Sequence, residues 1–397
     1  MADVTYPLAS STWDEREYEA MQRVIASGMF TMGESVAQFE RRFADFSGSR
    51  FAVMVNSGSS ANLLMTAALF YTRDDPLQRG DEIIVPAVSW STTYHPLQQY
   101  GLHLKFVDID LETLNYDLEQ LREAIGPNTR AIMCVNLLGN PNDFDAVAAM
   151  VRGRSIRLLE DNCESMGAVF GGRQAGTFGL MGSFSSFFSH HISTMEGGVI
   201  VTDDEELHHL LLCLRAHGWT RNLPKHNLVC GEKGDDPFRE SFRFVLPGYN
   251  VRPLELSGAI GLEQLRKLPL MIEQRRRNAD DFRLMLSRHP WLHGQREIGA
   301  SSWFGFSLVL RDDAPVSRSA LLSHLAARGI DTRPIVAGNF ARNEVMRWFD
   351  HEVHGELVNA DFIDANGFFV GNHHYALDRE LALLDAALTD CAKGRMT

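Results

Sequence analysis

Apolar positions fall at helical spacing near the start of the chain, then gather into short runs that alternate with further helical stretches. Residues 14–27 read as a helix, with Tyr18, Met21 and Val24 on its apolar face and Gly28 as the stop. Residues 34–47 repeat the pattern with Val36, Phe39, Phe43 and Phe46. The run Phe51-Ala-Val-Met-Val55 predicts a buried strand, followed by Asn56-Ser-Gly-Ser-Ser60 and a helix over 61–71. Strands over 81–86, 104–108, 131–135, 157–161, 182–188 and 198–202 then alternate with helices over 92–100, 118–125, 144–151 and 205–216. This spacing predicts an α/β fold with a mostly parallel sheet covered by helices on both faces. Ligands of such sheets bind at the carboxyl ends of the strands, so chemistry is expected in the loops that follow them.

Beyond residue 222 the pattern loosens. Residues 224–237 are polar and read as a long loop, suited to a lid or a partner-contact arm. Two helical stretches follow, over 256–268 and 269–288, then a strand near 303–309 and a helix over 319–328. The expected organisation is a large α/β domain over 1–265, opened by a helical segment, and a smaller α+β domain over 266–397.

Composition narrows the class. With 45% apolar and 22% charged residues in 397, the chain can bury a sizeable core. Its 38 basic against 51 acidic side chains give a net charge of −13, which argues against nucleic acid or an anionic membrane as partner. No apolar run approaches the ~20 residues of a membrane span, and residues 1–20 lack the pattern of a secretory leader. The expectation is a cytoplasmic protein. Cys134, Cys163, Cys213, Cys230 and Cys391 are widely spaced with no CxxC pair, so neither a metal site nor an iron–sulfur cluster is expected.

Four segments carry candidate chemistry. Asn56-Ser57-Gly58-Ser59-Ser60, between a strand and a helix, offers free backbone N–H groups for a phosphate, and helix capping explains it equally well. Trp90, in a polar loop after a strand, is able to stack on a flat ring or to fill the core. Asp161 ends a buried strand, where a carboxylate holds either a protonated pyridine nitrogen or a structural partner. Residues 179–198 contain Ser183 and Ser185, hydroxyls for a phosphate, then His190-His191 and a closing Glu196-Gly197-Gly198.

In this order the four segments resemble the sugar aminotransferase branch of the vitamin-B6-dependent enzymes of fold type I. That family places a lysine six residues before the Glu-Gly-Gly turn, where it holds pyridoxal phosphate as a Schiff base. Here the position is His190, and no lysine lies between Lys105 and Lys225. The exchange is similar to that in the sugar 3-dehydratases, which remove a hydroxyl instead of leaving an amine. The likeness runs from YPLASSTWD at 6–14 through PAVSWSTT at 86–93, VNLLGNP at 135–141, RAHGWTR at 215–221 and VLPGYNVR at 245–252 to VGNH at 370–373. The scattered cysteines match the subgroup that works without an iron–sulfur cluster.

By this resemblance the cofactor is pyridoxal 5'-phosphate, alternating with pyridoxamine 5'-phosphate. Gly58, Ser59, Ser185 and a partner-donated Asn250 would bind its phosphate, so a homodimer with shared active sites is implied. Trp90 would stack on the ring and Asp161 would pair with its nitrogen. Glu164 stands where many members have glutamine and would contact the ring hydroxyl. L-Glutamate would load the amine and leave as 2-oxoglutarate. A nucleotide-linked 4-keto-6-deoxyhexose would then lose its C3 hydroxyl and, after ammonia release, emerge as the 4-keto-3,6-dideoxy sugar. His190 would be the general base. His217 would bind substrate, assist the acid–base step or play a structural part. An imidazole of unperturbed pKa ~6.5 moves protons near neutral pH, but unlike lysine it forms no stable imine with the cofactor. Two other readings stand beside this one: a plain sugar aminotransferase using His190 as base, and a non-catalytic protein on the same fold.

Overall fold

The computed structural model describes residues 4–395. Its 8-stranded central sheet has the spatial order Phe51–Val55, Gly198–Thr202, Met181–Ser185, Arg157–Asp161, Thr129–Val135, Glu82–Pro86, His103–Val107, His351–Val353. All pairs from Met181–Ser185 to His351–Val353 run parallel, while Gly198–Thr202 is antiparallel to both its neighbours. The strands at 51–55, 157–161 and 198–202 and the helix at 144–151 keep the bounds their sequence predicts. Each is an apolar run with polar or turn residues close by, so pattern and packing agree.

Alternate residues of one strand serve two cores, as a sheet covered on both faces requires. Val53 and Val55 join the core with Leu64, Met65, Leu207 and Leu211. Ala52 and Met54 turn to the other face, against Phe39, Phe43 and Leu268. A third core, with Phe306, Leu308, Leu321, Phe368 and Leu384, is built on a 3-stranded antiparallel sheet, Leu292–His293, Gly305–Leu310 and Gly367–Gly371. The chain interlaces these units. Tyr6 is buried in the third core and donates from its hydroxyl to Gly371 O at 2.6 Å. The strand His351–Val353 returns from there to the edge of the large sheet.

Three elements differ from the reading of the pattern. The helix Glu15–Ser27 buries Glu17, Ala20 and Val24, whereas Tyr18 is half exposed and meets Trp13 edge-on at 5.8 Å. Val24 is buried as the pattern predicts, but the rest of the buried face runs through Ala20 and Glu17, because a carboxylate lies on it. Glu17 pairs with Lys267 at 2.6 Å, accepts from Gln264 Nε2 at 2.8 Å and closes a capping box with Asp14. The two helical stretches expected over 256–288 form one helix, Glu255–Leu286, which passes through Pro269 and across residue 265. A proline inside a helix costs ~3 kcal/mol. Burial of Leu268, Met271, Ile272, Ala279 and Phe282 offsets that cost. Residues 224–237 contain a short hairpin, His226–Asn227 against Gly231–Glu232, turned by Asn227 Oδ1 accepting from the N–H groups of Val229 and Cys230.

Among the described residues no helix is long and apolar enough to cross a membrane, and the five cysteines are free thiols. Glu17 is fully buried, so Glu17→Ala leaves a void and removes the buried carboxylate that Lys267 and Gln264 share, although both keep Thr12 O as an acceptor. The expected loss is about 3 kcal/mol, read as a lower thermal or urea midpoint.

Candidate active site

A cavity of about 610 Å³ opens at the carboxyl ends of the parallel strands, where Val135, Asp161 and Ser185 line it. At one end the helix Gly58–Leu69 begins. Ser57 caps it by accepting from Ser60 N at 3.1 Å, three residues earlier than the pattern predicts. Gly58 and Ser59 face the cavity beside this N-terminus, whose free N–H groups and dipole favour an anion. Gly58 has no room for a side chain, because a Cβ there would lie 2.8 Å from Ser185 Cβ and 3.0 Å from Cys163 Sγ.

Asp161 is almost fully buried and held by neutral donors. Its Oδ2 accepts from Asn62 Nδ2 at 2.8 Å and from Thr93 Oγ1 at 2.7 Å, and its Oδ1 accepts from Cys163 N at 3.2 Å. Ser183, expected to offer its hydroxyl to a phosphate, does not line the cavity. It is fully buried and donates to Asn62 Oδ1 at 2.6 Å, which fixes the Asn62 amide with its NH₂ toward Asp161. Trp90 is 58% exposed at the start of the helix Ser91–Gln99 and lines the cavity. Glu164 accepts from Leu138 N at 3.1 Å, and burial raises its carboxyl to about 7.

The histidine pair divides. His191 is fully buried with Nε2 donating to Ser302 O at 3.1 Å, so its ring is structural. His190 lines the cavity, flanked edge-on by Phe304 at 5.0 Å and Phe187 at 6.0 Å, with Nδ1 unpartnered. Burial, then the charge of Arg275, pulls its imidazole down to about 3. It is therefore neutral around pH 7 and able to accept a proton.

The structure thus gathers Gly58, Ser59, Trp90, Asp161, Glu164, Ser185 and His190 around one cavity. His217 and Asn250 do not line it. They sit side by side elsewhere, through the bridge between Ala216 and Asn250 and the bond from His217 N to Tyr249 O at 2.6 Å. Sequence reasoning missed Arg333 and Phe304, which line the cavity from the C-terminal part of the chain. Neither carries a local signal beyond the loop context of Arg333-Pro334. Arg333 is the one cationic side chain in the lining, and no lysine is part of it among the described residues.

The profile of the DegT/DnrJ/EryC1/StrS aminotransferase family matches residues 11–380. A GDP-4-keto-6-deoxy-D-mannose 3-dehydratase of Yersinia pseudotuberculosis is 62% identical over 379 residues, 95% of this chain and 96% of its own. The solved E. coli GDP-4-keto-6-deoxy-D-mannose-3-dehydratase with bound hydrated PLP superposes with a TM-score of 0.96 at 62% identity, over 97% of this chain and 100% of that one. A GDP-4-keto-6-deoxymannose-3-dehydratase with a trapped PLP-glutamate geminal diamine matches with the same TM-score of 0.96, 62% identity and coverage of 97% and 100%.

Two outcomes follow from the geometry. Gly58→Ala drives a methyl into Ser185 and Cys163, an overpacking of ~1–3 kcal/mol. Pyridoxal phosphate bound to the variant should be lost about tenfold more readily, read from absorbance after desalting. Glu164 has a folded pKa of about 7 against an ordinary 4.5, so its ionisation penalises the fold. Stability is fully present below pH 4.5 and falls as the pH rises through about 7. Glu164→Gln removes that part of the slope, measured as urea midpoints of the cofactor-free protein from about pH 5 to about pH 8.

Proposed function

The chain belongs to the DegT/DnrJ/EryC1/StrS aminotransferase family, and from that premise we propose that it is a 3-dehydratase of GDP-4-keto-6-deoxy-D-mannose. Pyridoxal phosphate is its cofactor and L-glutamate its amino donor. The products are the 4-keto-3,6-dideoxy sugar, 2-oxoglutarate and ammonia. The observation that carries the reading is that His190 lines the cavity and no lysine does, among the described residues. The fold is that of the fold type I enzymes, and its 62% identity to dehydratases over nearly the whole chain supports the substrate.

The residues fit the cofactor. A Cβ on Gly58 would crowd Ser185, as a close-fitting anion cradle requires. The carboxyl group of Asp161 is held by neutral donors only, which leaves it to pair with a protonated ring nitrogen. When bound, the cofactor supplies an electron sink and carries the amine received from glutamate. The protein holds it without a covalent tether. Gly58, Ser59 and Ser185 take the phosphate, Trp90 covers the ring and Glu164 meets the ring hydroxyl. His190 accepts a proton during the elimination and returns it to the departing C3 hydroxide, a positioned acid–base role worth ~10²–10⁴-fold. Arg333 supplies the positive charge for an anionic group of the substrate or of glutamate.

The same reading makes the enzyme a cytoplasmic homodimer. Asn250 and His217 lie on one surface strip, and Asn250 is exposed, with Oδ1 accepting from Arg252 Nε at 3.0 Å. A second copy would take these residues into its own cavity, Asn250 to the phosphate and His217 to the sugar.

His190→Asn tests the assignment. The variant should retain the cofactor and lose dehydration by at least about a hundredfold; near-normal turnover removes His190 as the base. Borohydride treatment of the wild-type holoprotein, followed by mass spectrometry, should leave the chain free of cofactor mass. A chain heavier by the reduced cofactor would mean that another lysine has taken the covalent role.

A further inference from the structure

We propose that Arg275 is a positioning residue for His190: its buried guanidinium ties down the turn at Trp303-Phe304, whose ring holds the imidazole at the cavity wall. The inference rests on the reading of His190 as the base.

Arg275 sits within the helix Glu255–Leu286 and is 4% exposed. Among the described residues no carboxylate pairs with it. Its Nη1 reaches Asn372 O at 2.7 Å, Phe304 O at 3.1 Å and Trp303 O at 3.4 Å, and its Nε has no partner. Burial lowers the guanidinium to about 10, so it remains a cation near neutral pH. A buried cation without a counter-charge is costly, and an apolar side chain of similar volume would fill the space without that cost. An apolar side chain, however, has no donor, whereas the single nitrogen Nη1 ties three carbonyls from two separate segments together.

The turn it holds is strained. Trp303 has φ +48°, a left-handed conformation that a bulky residue adopts only when its surroundings enforce it. The enforcement is visible. Ser302 N donates to Gly139 O at 2.9 Å, Phe304 N to Leu138 O at 3.0 Å and Asn372 Nδ2 to Trp303 O at 2.9 Å. Both histidines rest on this turn. Phe304 meets His190 at 5.0 Å and His191 at 5.9 Å, and Ser302 O accepts from His191.

Charge adds a second effect. Arg275 disfavours a proton on His190 and on His191, and Arg276 adds to this at His191. Asp161, Cys163, Glu164, Glu196 and Arg333 are the other titratable or charged groups that line the same cavity among the described residues, and His191 adjoins His190 behind it. Removing the buried cation therefore loosens the imidazole and eases its protonation.

The test compares wild type, Arg275→Met, Phe304→Leu and His190→Asn as cofactor-loaded enzymes, with rates normalised to bound cofactor. For Arg275→Met, kcat should fall about tenfold with KM for the sugar nucleotide nearly unchanged, and the acid limb of kcat should move up by about one pH unit. Lost packing alone lowers the amount of loaded enzyme but leaves that limb in place. For Phe304→Leu, kcat should fall about tenfold with KM for the sugar nucleotide nearly unchanged, since the ring that holds the imidazole is lost. A loaded Arg275→Met enzyme with wild-type kcat and limb overturns the proposal. If Arg275→Met does not fold, Phe304→Leu with wild-type kcat overturns it. Dehydration surviving in His190→Asn would instead overturn the base assignment beneath it.

Discussion

The carboxylate of Asp161 is the fixed point of this site. It ends a buried strand, and its oxygens are taken by an amide, a hydroxyl and a backbone N–H, none of which neutralises it. Ser183 orients the amide from beneath, so the network is satisfied and rigid before any ligand arrives. The sheet topology puts this negative end at the same edge as the positive N-terminus of the helix Gly58–Leu69. A flat ring with a cationic nitrogen at one end and a phosphate at the other is the complement of that arrangement.

The site departs from its family where a covalent tether is usual. A lysine amine would hold the cofactor through its aldehyde, release it and return protons to the sugar. An imidazole beside two phenylalanine rings stays neutral, takes protons and does not compete for the aldehyde. On the proposed reading, retention would then depend on fit at Gly58 and on the Asp161 network, and His190 would pass its proton to the leaving hydroxyl instead of back to carbon.

Most of the fold was legible because its strands are uninterrupted apolar runs, such as Phe51–Val55 and Gly198–Thr202, buried on both sides. The elements that were not legible share a cause: a polar or special residue whose tertiary partners change its meaning. Glu17 occupies the buried face of its helix because Lys267 and Gln264, far along the chain, receive it. Pro269 does not end a helix whose packing outweighs one lost hydrogen bond. In the site, the motif around Ser57, Asp161 and His190 could be read from order and spacing. The division of labour within Ser183/Ser185 and His190/His191 could not: the serines share one face of the strand Met181–Ser185 and only the one at its carboxyl end reaches the cavity, while the adjacent histidines part at a bend. Arg333, Phe304 and Arg275 gave no local signal, because distant packing alone brings them to the cavity or its wall.

The central claim is that an imidazole at the lysine position turns amine transfer into elimination. Its most direct measurement is the product formed from GDP-4-keto-6-deoxy-D-mannose and L-glutamate, followed by NMR of the sugar together with assays of ammonia and 2-oxoglutarate. The account predicts a 3-deoxy-4-keto sugar, with ammonia and 2-oxoglutarate released in equal amounts. A stable 4-amino sugar that keeps its C3 hydroxyl, with no ammonia released, would contradict it.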